Sequence, residues 1–240
     1  MNLSTTEPET SRKPSALAQL ANLFVAPGQA LDYARERPGM WWLPLGIVLA
    51  LQAVMAVWVA LTMNMAAWRQ MMVETISRAN PDHAQQAIHM VTQHGRGYLL
   101  FGMLMGLVGM VIIELLYALY LFLADKLFSA SNHGYGQWFS FTTWTWLPVS
   151  LGLIASIIAW ALSDKSTHLM QIDVTNLNTL LFHLKPGSHL FRIAQFSILQ
   201  FWVIGLVTYG LKRWRGHGTA KALAIALAPY VAIYAIMYFV

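Results

Sequence analysis

The sequence predicts an all-α membrane protein, a bundle of five transmembrane helices preceded by an amphipathic N-terminal arm. Of its 240 residues, 57% are hydrophobic and only 10% are charged, whereas soluble domains carry about 25% charged residues. The mean hydropathy is +0.51. The ten Trp and nine Tyr suit the headgroup level of a bilayer. Membrane lipids are therefore the main solvent that the sequence predicts.

Five apolar segments are long enough to cross the hydrocarbon core, which takes about 20 helical residues. They are continuous runs, unlike the short alternating segments of a β-barrel. Their predicted bounds are 42–63, 98–124, 138–162, 193–211 and 222–240. These bounds divide the chain into an arm, residues 1–40, and a five-helix domain, residues 41–240.

Lys and Arg residues in the flanks of these spans predict the orientation. With the N-terminus inside, the inner side holds nine of them and the outer side six. The cluster Lys212-Arg213-x-Arg215 in a short inner loop adds most weight. We therefore expect a bacterial cytoplasmic membrane protein with a cytoplasmic N-terminus and an outer C-terminus.

Two predicted outer loops are long enough to have structure of their own. Residues 65–94 have a helical pattern that breaks at Asn80-Pro81 and resumes from His83. Residues 163–189 are polar and end at Pro186-Gly187, which predicts irregular structure with one short helix over 176–184.

The N-terminal arm has the signals of two short helices. Ser15 is a good N-cap, and Leu17, Leu20 and Phe24 follow on one helical face. Pro27 begins a second helix that ends before the next proline. Two interpretations stay open, docking on the membrane surface or a partner through those three side chains, and packing against the protein's own spans.

Glu114 is the one formal charge inside the five spans. An ionisable side chain at that depth is costly, so it must face protein or water. One hypothesis is an ion or substrate site, as in a small transporter or channel. The other is a hydrogen-bonded carboxyl that joins helices through Thr142, Thr145, Gln195 or a Tyr hydroxyl.

Two spans carry helix-packing patterns. Tyr230, Tyr234 and Tyr238 recur every four residues on one face of the fifth span, which predicts an interhelical seam. Gly102 and Gly106 in the second span allow close approach of another helix. Whether that helix belongs to this chain, a second copy or another protein stays open.

No sequence motif indicates catalysis, a cofactor or a metal. The nucleotide-binding, zinc-protease, hydrolase and dinucleotide patterns are absent from the sequence. Cysteine is absent as well, and the basic residues form no stripe for nucleic acid. Six histidines on the predicted outer side lack metal-ligand spacing and are interpreted as solvated loop residues: His83, His89, His94, His168, His183 and His189.

Several short motifs occur in an order that resembles bacterial members of the Yip1 family. They are Leu23-Phe24-x-x-Pro27, Arg35-Glu36-Arg37-Pro38-x-x-Trp41-Trp42-x-Pro44, Gly134-Tyr135-Gly136-Gln137-x-Phe139, then Pro148, Gly152, Lys221-Ala222 and Pro229. The resemblance extends over about residues 20–240 and implies five membrane helices with a cytoplasmic N-terminus.

The same resemblance suggests a role within a larger membrane complex. Some bacterial members are associated with MacB-type ABC exporters, which by analogy suggests a scaffold or accessory subunit of an inner-membrane complex. The link of eukaryotic members to vesicle traffic does not carry over, because their Asp-Leu-Tyr-Gly-Pro motif is absent here.

Overall fold

The computed structural model of the protein describes residues 15–79, 84–128, 132–166, 172–184 and 189–239. Within these ranges the regular structure is helical apart from one isolated β-bridge, between Asn176 and Ser197. A 3-10 turn, Pro38–Trp41, precedes α3, and a π-helical turn, Asn178–Phe182, precedes α8. The α-helices of these ranges are α1 (Ala16–Val25), α2 (Pro27–Glu36), α3 (Trp42–Thr62), α4 (Met65–Ala79), α5 (Ala84–Phe128), α6 (Tyr135–Trp146), α7 (Val149–Leu162), α8 (His189–Ala194), α9 (Ile198–Arg215) and α10 (Thr219–Phe239).

Helices long and apolar enough to cross a membrane confirm the predicted fold class. Among the described residues four stretches qualify: Pro38–Thr62, Ile88–Phe128, Tyr135–Leu162 and Thr219–Tyr238. The third consists of α6 and α7, because Pro148 cannot continue the helical hydrogen bonding and a turn separates the two. The described part of the chain is thus a polytopic helical membrane protein.

The predicted continuous span 193–211 is wrong at its beginning. α8 ends at Ala194 and α9 begins at Ile198, because the backbone between them pairs with residues 175–177 instead of continuing a helix. The Leu177 amide donates to Phe196 O, and the Ile198 amide donates to Thr175 O, both at 2.9 Å. The uncharged part of α9, residues 198–211, measures about 21 Å at 1.5 Å per residue. The five-span count therefore stays a prediction.

The long helices join two ends of the bundle, which we call the basic end and the loop end. The basic end holds the C-terminal ends of α5 and α9 and the N-terminal ends of α6 and α10. It carries these basic residues: Lys126, Lys212, Arg213, Arg215 and Lys221. The loop end holds residues 62–65, 162–166, 172–184 and 189–198. There the Asn64 amide donates to Lys165 O at 2.9 Å, and Trp160 Nε1 donates to the Thr62 hydroxyl at 2.9 Å.

The second arm helix, α2, packs inside the basic end of the bundle. Its side chains Ala30, Leu31 and Ala34 are fully buried against α6 and α9. Asp32 receives two hydrogen bonds from Arg213 Nε, at 3.0 and 3.1 Å, and one from its Nη2 at 2.5 Å. Of the two interpretations of the arm, packing against the protein's own spans holds for α2.

Close approach between α6 and α9 depends on Gly210. A Cβ at this position would lie 2.2 Å from Phe141 Cε2 and 3.2 Å from Leu31 Cδ1. Real Cβ atoms do not approach aromatic carbons so closely, so any larger residue must displace a buried ring. One glycine thus allows three elements, α2, α6 and α9, to meet at one point.

The first arm helix, α1, is capped as predicted but turns another face inward. Ser15 Oγ accepts a hydrogen bond from the Ala18 amide at 3.2 Å. Gln19 and Leu23 are the buried side chains. Of the predicted docking residues, Leu17 is 70% exposed and Leu20 and Phe24 are half-buried. Docking through these three side chains stays a prediction.

At the loop end, α4 packs on the first part of α5. Trp68 and Val91 are buried between them, and α5 bends at Gly95, whose φ of +35° favours glycine. Arg96 then donates to Ala60 O at 3.0 Å and to Leu61 O. The helices predicted within residues 65–94 are confirmed; their break at Asn80-Pro81 lies outside the described residues.

A tyrosine from α5 repairs the hydrogen bonding that a proline interrupts in α10. Pro229 has no amide proton, so the carbonyl of Ile225, four residues earlier, loses its helical donor. The Tyr120 hydroxyl donates to that carbonyl at 2.9 Å. Because lipid offers no replacement donor, this contact ties α5 to α10.

Candidate functional site

Glu114 lies inside the helix bundle, as the sequence analysis predicts. Its exposed fraction is 1%. Tyr117 and Ala118, one turn further along α5 on the same face, are 7% and 0% exposed. The neighbouring Ile113 and Leu115 point outward, at 52% and 38% exposed. One narrow stripe of α5 therefore faces protein, and the carboxyl lies on it.

The Glu114 carboxyl has no hydrogen-bond partner among the described residues, on either oxygen. Thr142 on α6 faces it, but the Thr142 hydroxyl donates to Phe139 O at 3.0 Å. The Thr145 hydroxyl likewise donates to Thr142 O at 3.0 Å. Both threonines satisfy their own helix, so a buried carboxyl remains unsatisfied, which is rare and costly in a native bundle.

Gln195 does not join this group. It lies between α8 and α9 at the loop end, where its Oε1 accepts from Asn176 Nδ2 at 3.1 Å. Of the four residues predicted to form an intramembrane polar site, the structure brings together Glu114 and Thr142. Their functional role stays a prediction.

Two of the three tyrosines of the predicted α10 seam pack against other elements, and the third is exposed. The Tyr230 ring lies 6.1 Å from that of Tyr117, and its hydroxyl donates to Gln200 Oε1 at 3.1 Å. Tyr234 packs edge-on against Phe196 at 5.6 Å. Tyr238 is 53% exposed. The seam therefore joins α10 to α5 and to the start of α9 rather than to one helix along its whole length.

Gly102 and Gly106 lie on an uncovered face of α5. A Cβ at either position would have no atom of a described residue within 4 Å. In the most apolar 18-residue stretch of α5, only 11% of the residues are buried inside the protein. The corresponding shares are 33% for the span of α3 and 39% for the span formed by α6 and α7. The close helix approach that these glycines permit is therefore not used within the described chain.

A charged cluster at the basic end was not predicted from the sequence. Asp125 is 3% exposed, and its Oδ1 lies 2.5 Å from Arg215 Nε. Its Oδ2 accepts from Trp138 Nε1 at 3.2 Å and lies 3.8 Å from His133 Nδ1. Burial lowers the pKa of His133, and the nearby Arg215 lowers it further while Asp125 raises it. The sequence signal was an acidic residue directly after an apolar run, close to a basic cluster.

The histidines interpreted as solvated loop residues are only partly described. His89, His94 and His183 are exposed, while His83 and His168 lie outside the described residues. Among the described side chains there is no group of three or more His, Asp or Glu residues that could hold a metal ion.

A cavity of about 390 Å³ opens at the loop end, between α3, α5, α7 and the beginning of α9. Gln52, Gln195, Gln200, Asp173 and Thr175 contribute its polar lining. Gln52 was not singled out in the sequence, although it is the only amide side chain of the first span.

The long helices have exposed apolar faces and bury polar side chains inside the bundle. These features define a polytopic α-helical membrane protein. The sequence profile of the Yip1 domain matches residues 21–240. The chain therefore belongs to the Yip1 domain family, as its motifs indicated. No curated protein and no solved structure gave a significant match.

Proposed function

We propose that the protein is a non-enzymatic scaffold or accessory subunit of an inner-membrane complex. The observation that supports this role is the uncovered glycine face of α5, defined by Gly102 and Gly106. Apolar burial does not drive helix association in lipid, so helices pair where small residues let backbones approach. A face of this kind, left open by its own chain, suits a transmembrane helix of another protein.

The partner that we propose is an integral membrane protein, with a MacB-type ABC exporter as the leading candidate. This choice rests on the association of some bacterial Yip1-like proteins with such exporters. The sequence has no nucleotide-binding motif of its own, so the partner would supply ATP hydrolysis. A second copy of this chain is the alternative occupant of the same face.

The proposed orientation has five crossings, a cytoplasmic N-terminus and an outer C-terminus. Support comes from α9, which runs from the loop end, where Ser197 meets Thr175, to the basic end, where Arg215 meets Asp125. The cations gathered at the basic end agree with a cytoplasmic location.

Substitution within the α5 face tests the accessory role. We expect Gly106→Leu to keep the fold, because no described atom lies within 4 Å of the new Cβ. The added side chain would nevertheless keep a partner helix from close approach. Val108→Leu, at an exposed position of the same helix, is the matched control. The measurement is the set of chains that co-purify from native membranes, identified by mass spectrometry.

Each outcome of that experiment bears on the proposal. Loss of a co-purifying exporter subunit in Gly106→Leu, with retention in Val108→Leu, supports the accessory role. Loss of self-association alone identifies a homo-oligomer. Retention of the same chains by both variants, or no co-purifying chain at all, contradicts docking through this face. Single cysteines are unique cross-linking sites for a second test, since the chain has none.

One observation favours a second candidate function, a small transporter or channel. The Glu114 carboxyl is buried and unsatisfied, which is typical of groups that bind an ion or a substrate within a membrane. Glu114→Gln keeps the shape of the side chain but cannot titrate. A folded variant that has lost ion or proton flux in proteoliposomes supports this function, whereas unchanged flux, or none in wild type, identifies a structural carboxyl.

A further inference from the structure

The cavity at the loop end reaches from the extramembrane loops to the middle of a membrane helix. Its deepest polar side chain is Gln52, ten residues from either end of α3. Its mouth is formed by Asp173 and Thr175, in the loop before α8. Gln200 at the start of α9 and Ser156 of α7 lie along the wall. The cavity is thus a polar cleft with its floor at bilayer depth.

Gln52 places a polar group on the floor of the cleft. Its amide makes no hydrogen bond to any described residue, although a carboxamide in the centre of a bilayer requires partners. Gln200 Oε1 is engaged by Tyr230, but its amide nitrogen makes no hydrogen bond to a described residue. The side-chain amides of Gln52 and Gln200 both line the cleft and both have hydrogen-bonding atoms without a partner among the described residues.

The charge of the cleft selects the kind of occupant. Among the described residues that line it, Asp173 is the only one with a formal charge, and none is basic. The Asp173 Oδ1 atom accepts from the Thr175 amide at 2.8 Å and from its hydroxyl at 2.7 Å. These two bonds fix the carboxylate and leave Oδ2 without a donor from the described chain. An anionic ligand would find no counter-charge here.

The remaining walls are apolar and flexible. Met55 and Met103 come from α3 and α5, and Leu153 and Leu199 close the cleft from α7 and α9. Methionine side chains adapt to hydrocarbon chains of different shape. The volume of about 390 Å³ lies within the range of small-molecule sites, about 300–1,000 Å³. One carboxylate is too few for a divalent cation, which takes about six oxygen ligands.

We infer that this cleft binds an aliphatic amine, whose ammonium group pairs with Asp173 and whose hydrocarbon part lies on Met55 and Met103. The Gln52 amide lies at the opposite end of the cleft from the ammonium group. Two sources supply this chemistry, a free alkylamine and the ethanolamine headgroup of a membrane lipid. The site does not depend on the accessory role, since it uses neither α5 glycine.

The first test compares ligands on the wild-type protein in detergent. Hexylamine and hexanol have the same hydrocarbon chain and differ in charge. We expect hexylamine to raise the melting temperature in a saturable manner and hexanol to leave it unchanged. For the lipid source, native mass spectrometry measures which lipid the protein retains from nanodiscs that contain equal amounts of phosphatidylethanolamine and phosphatidylglycerol.

The second test compares two carboxylates of the same segment. Asp173→Asn can still accept from the Thr175 amide but loses the charge, and we expect amine affinity to fall at least about tenfold. Asp164→Asn is the matched control, because Asp164 is exposed and does not line the cleft. Gln52→Leu, at the opposite end of the cleft from Asp173, removes no contact with the ammonium group and is expected to leave the amine affinity nearly unchanged.

The outcomes separate the two sources and can overturn the site. Hexylamine binding that Asp173→Asn weakens and Asp164→Asn retains identifies a free amine. Selective retention of phosphatidylethanolamine, lost in Asp173→Asn, identifies the lipid headgroup. Equal binding of hexanol, undiminished binding in Asp173→Asn, or no binding of either source refutes the amine site. The comparison of hexylamine with hexanol uses the wild-type protein, so it tests the site even if a variant misfolds.

Discussion

Removal of the arginine from the buried ion pair at the basic end should destabilise the protein strongly. The side chains of Asp125 and Arg215 are 1% and 11% exposed, so water cannot replace a lost partner. In Arg215→Met the carboxylate loses this cation and keeps the neutral donor Trp138 Nε1. Breaking a buried pair from one side costs about 3–5 kcal/mol, and we expect Arg215→Met to lose a free energy of unfolding in this range.

Arg213→Met is the matched control, two residues earlier on the same helix. Its ion pair with Asp32 includes three hydrogen-bond contacts, but the two side chains are 42% and 27% exposed. Exposed pairs contribute about 0–1 kcal/mol. Unfolding in mixed detergent micelles, followed by circular dichroism, measures both variants. If Arg215→Met loses no more than Arg213→Met, the argument from burial is refuted.

The same cluster predicts how stability depends on pH. In the wild-type protein the pKa of His133 is lowered, mainly by burial, so the folded state resists its protonation. Stability is then fully present above the unfolded pKa, about 6.5, and falls as the pH drops below it. In Arg215→Met the repulsion from Arg215 is gone and Asp125 remains, so the pKa of His133 rises. The destabilisation of this variant should therefore be smaller at pH 5.5 than at pH 8, and an equal loss at both would contradict the proposed pairing.

Three further predictions follow from other contacts. Tyr120→Phe leaves the Ile225 carbonyl without a donor and should lower the free energy of unfolding by about 1–3 kcal/mol. Pro229→Ala restores the helical donor, so a double-mutant cycle should show almost no loss from Tyr120→Phe in that background. Gly210→Ala should destabilise by about 1–3 kcal/mol, whereas Gly205→Ala, on the same helix with open space at its Cβ, should not, and similar thermal denaturation of the two would contradict the close packing. Reporter fusions at the C-terminal end and in the loop before α8 should both report the outer side, and a cytoplasmic signal from either would refute the five-crossing topology.

Local sequence signals predicted most of the helices because their causes are local. The apolar run of α3, the N-cap at Ser15 and the proline at the start of α2 each act within a few residues. The inward position of Glu114 also followed from one residue, since the cost of a lipid-facing carboxyl does not depend on which helix covers it.

Features that depend on distant partners could not be predicted in this way. α9 begins at Ile198 because its preceding backbone pairs with residues about twenty positions earlier, and no periodicity records such a pairing. The ion pair between Asp125 and Arg215 joins two different helices. Gln52 marks a cleft only once α7 and α9 are in place around it. Each of these three features can be recognised only when the tertiary structure is known.

The contact between Asp32 and Arg213 joins residues 181 positions apart in the chain, which has a consequence for biogenesis. α2 leaves the ribosome well before α9, but the surface that buries Ala30 and Leu31 includes α9. Complete burial of α2 therefore requires that the chain be inserted as far as α9. A chain that stops before α9 would leave part of the apolar side of α2 uncovered, and this part of the arm would then be accessible to chaperones and proteases.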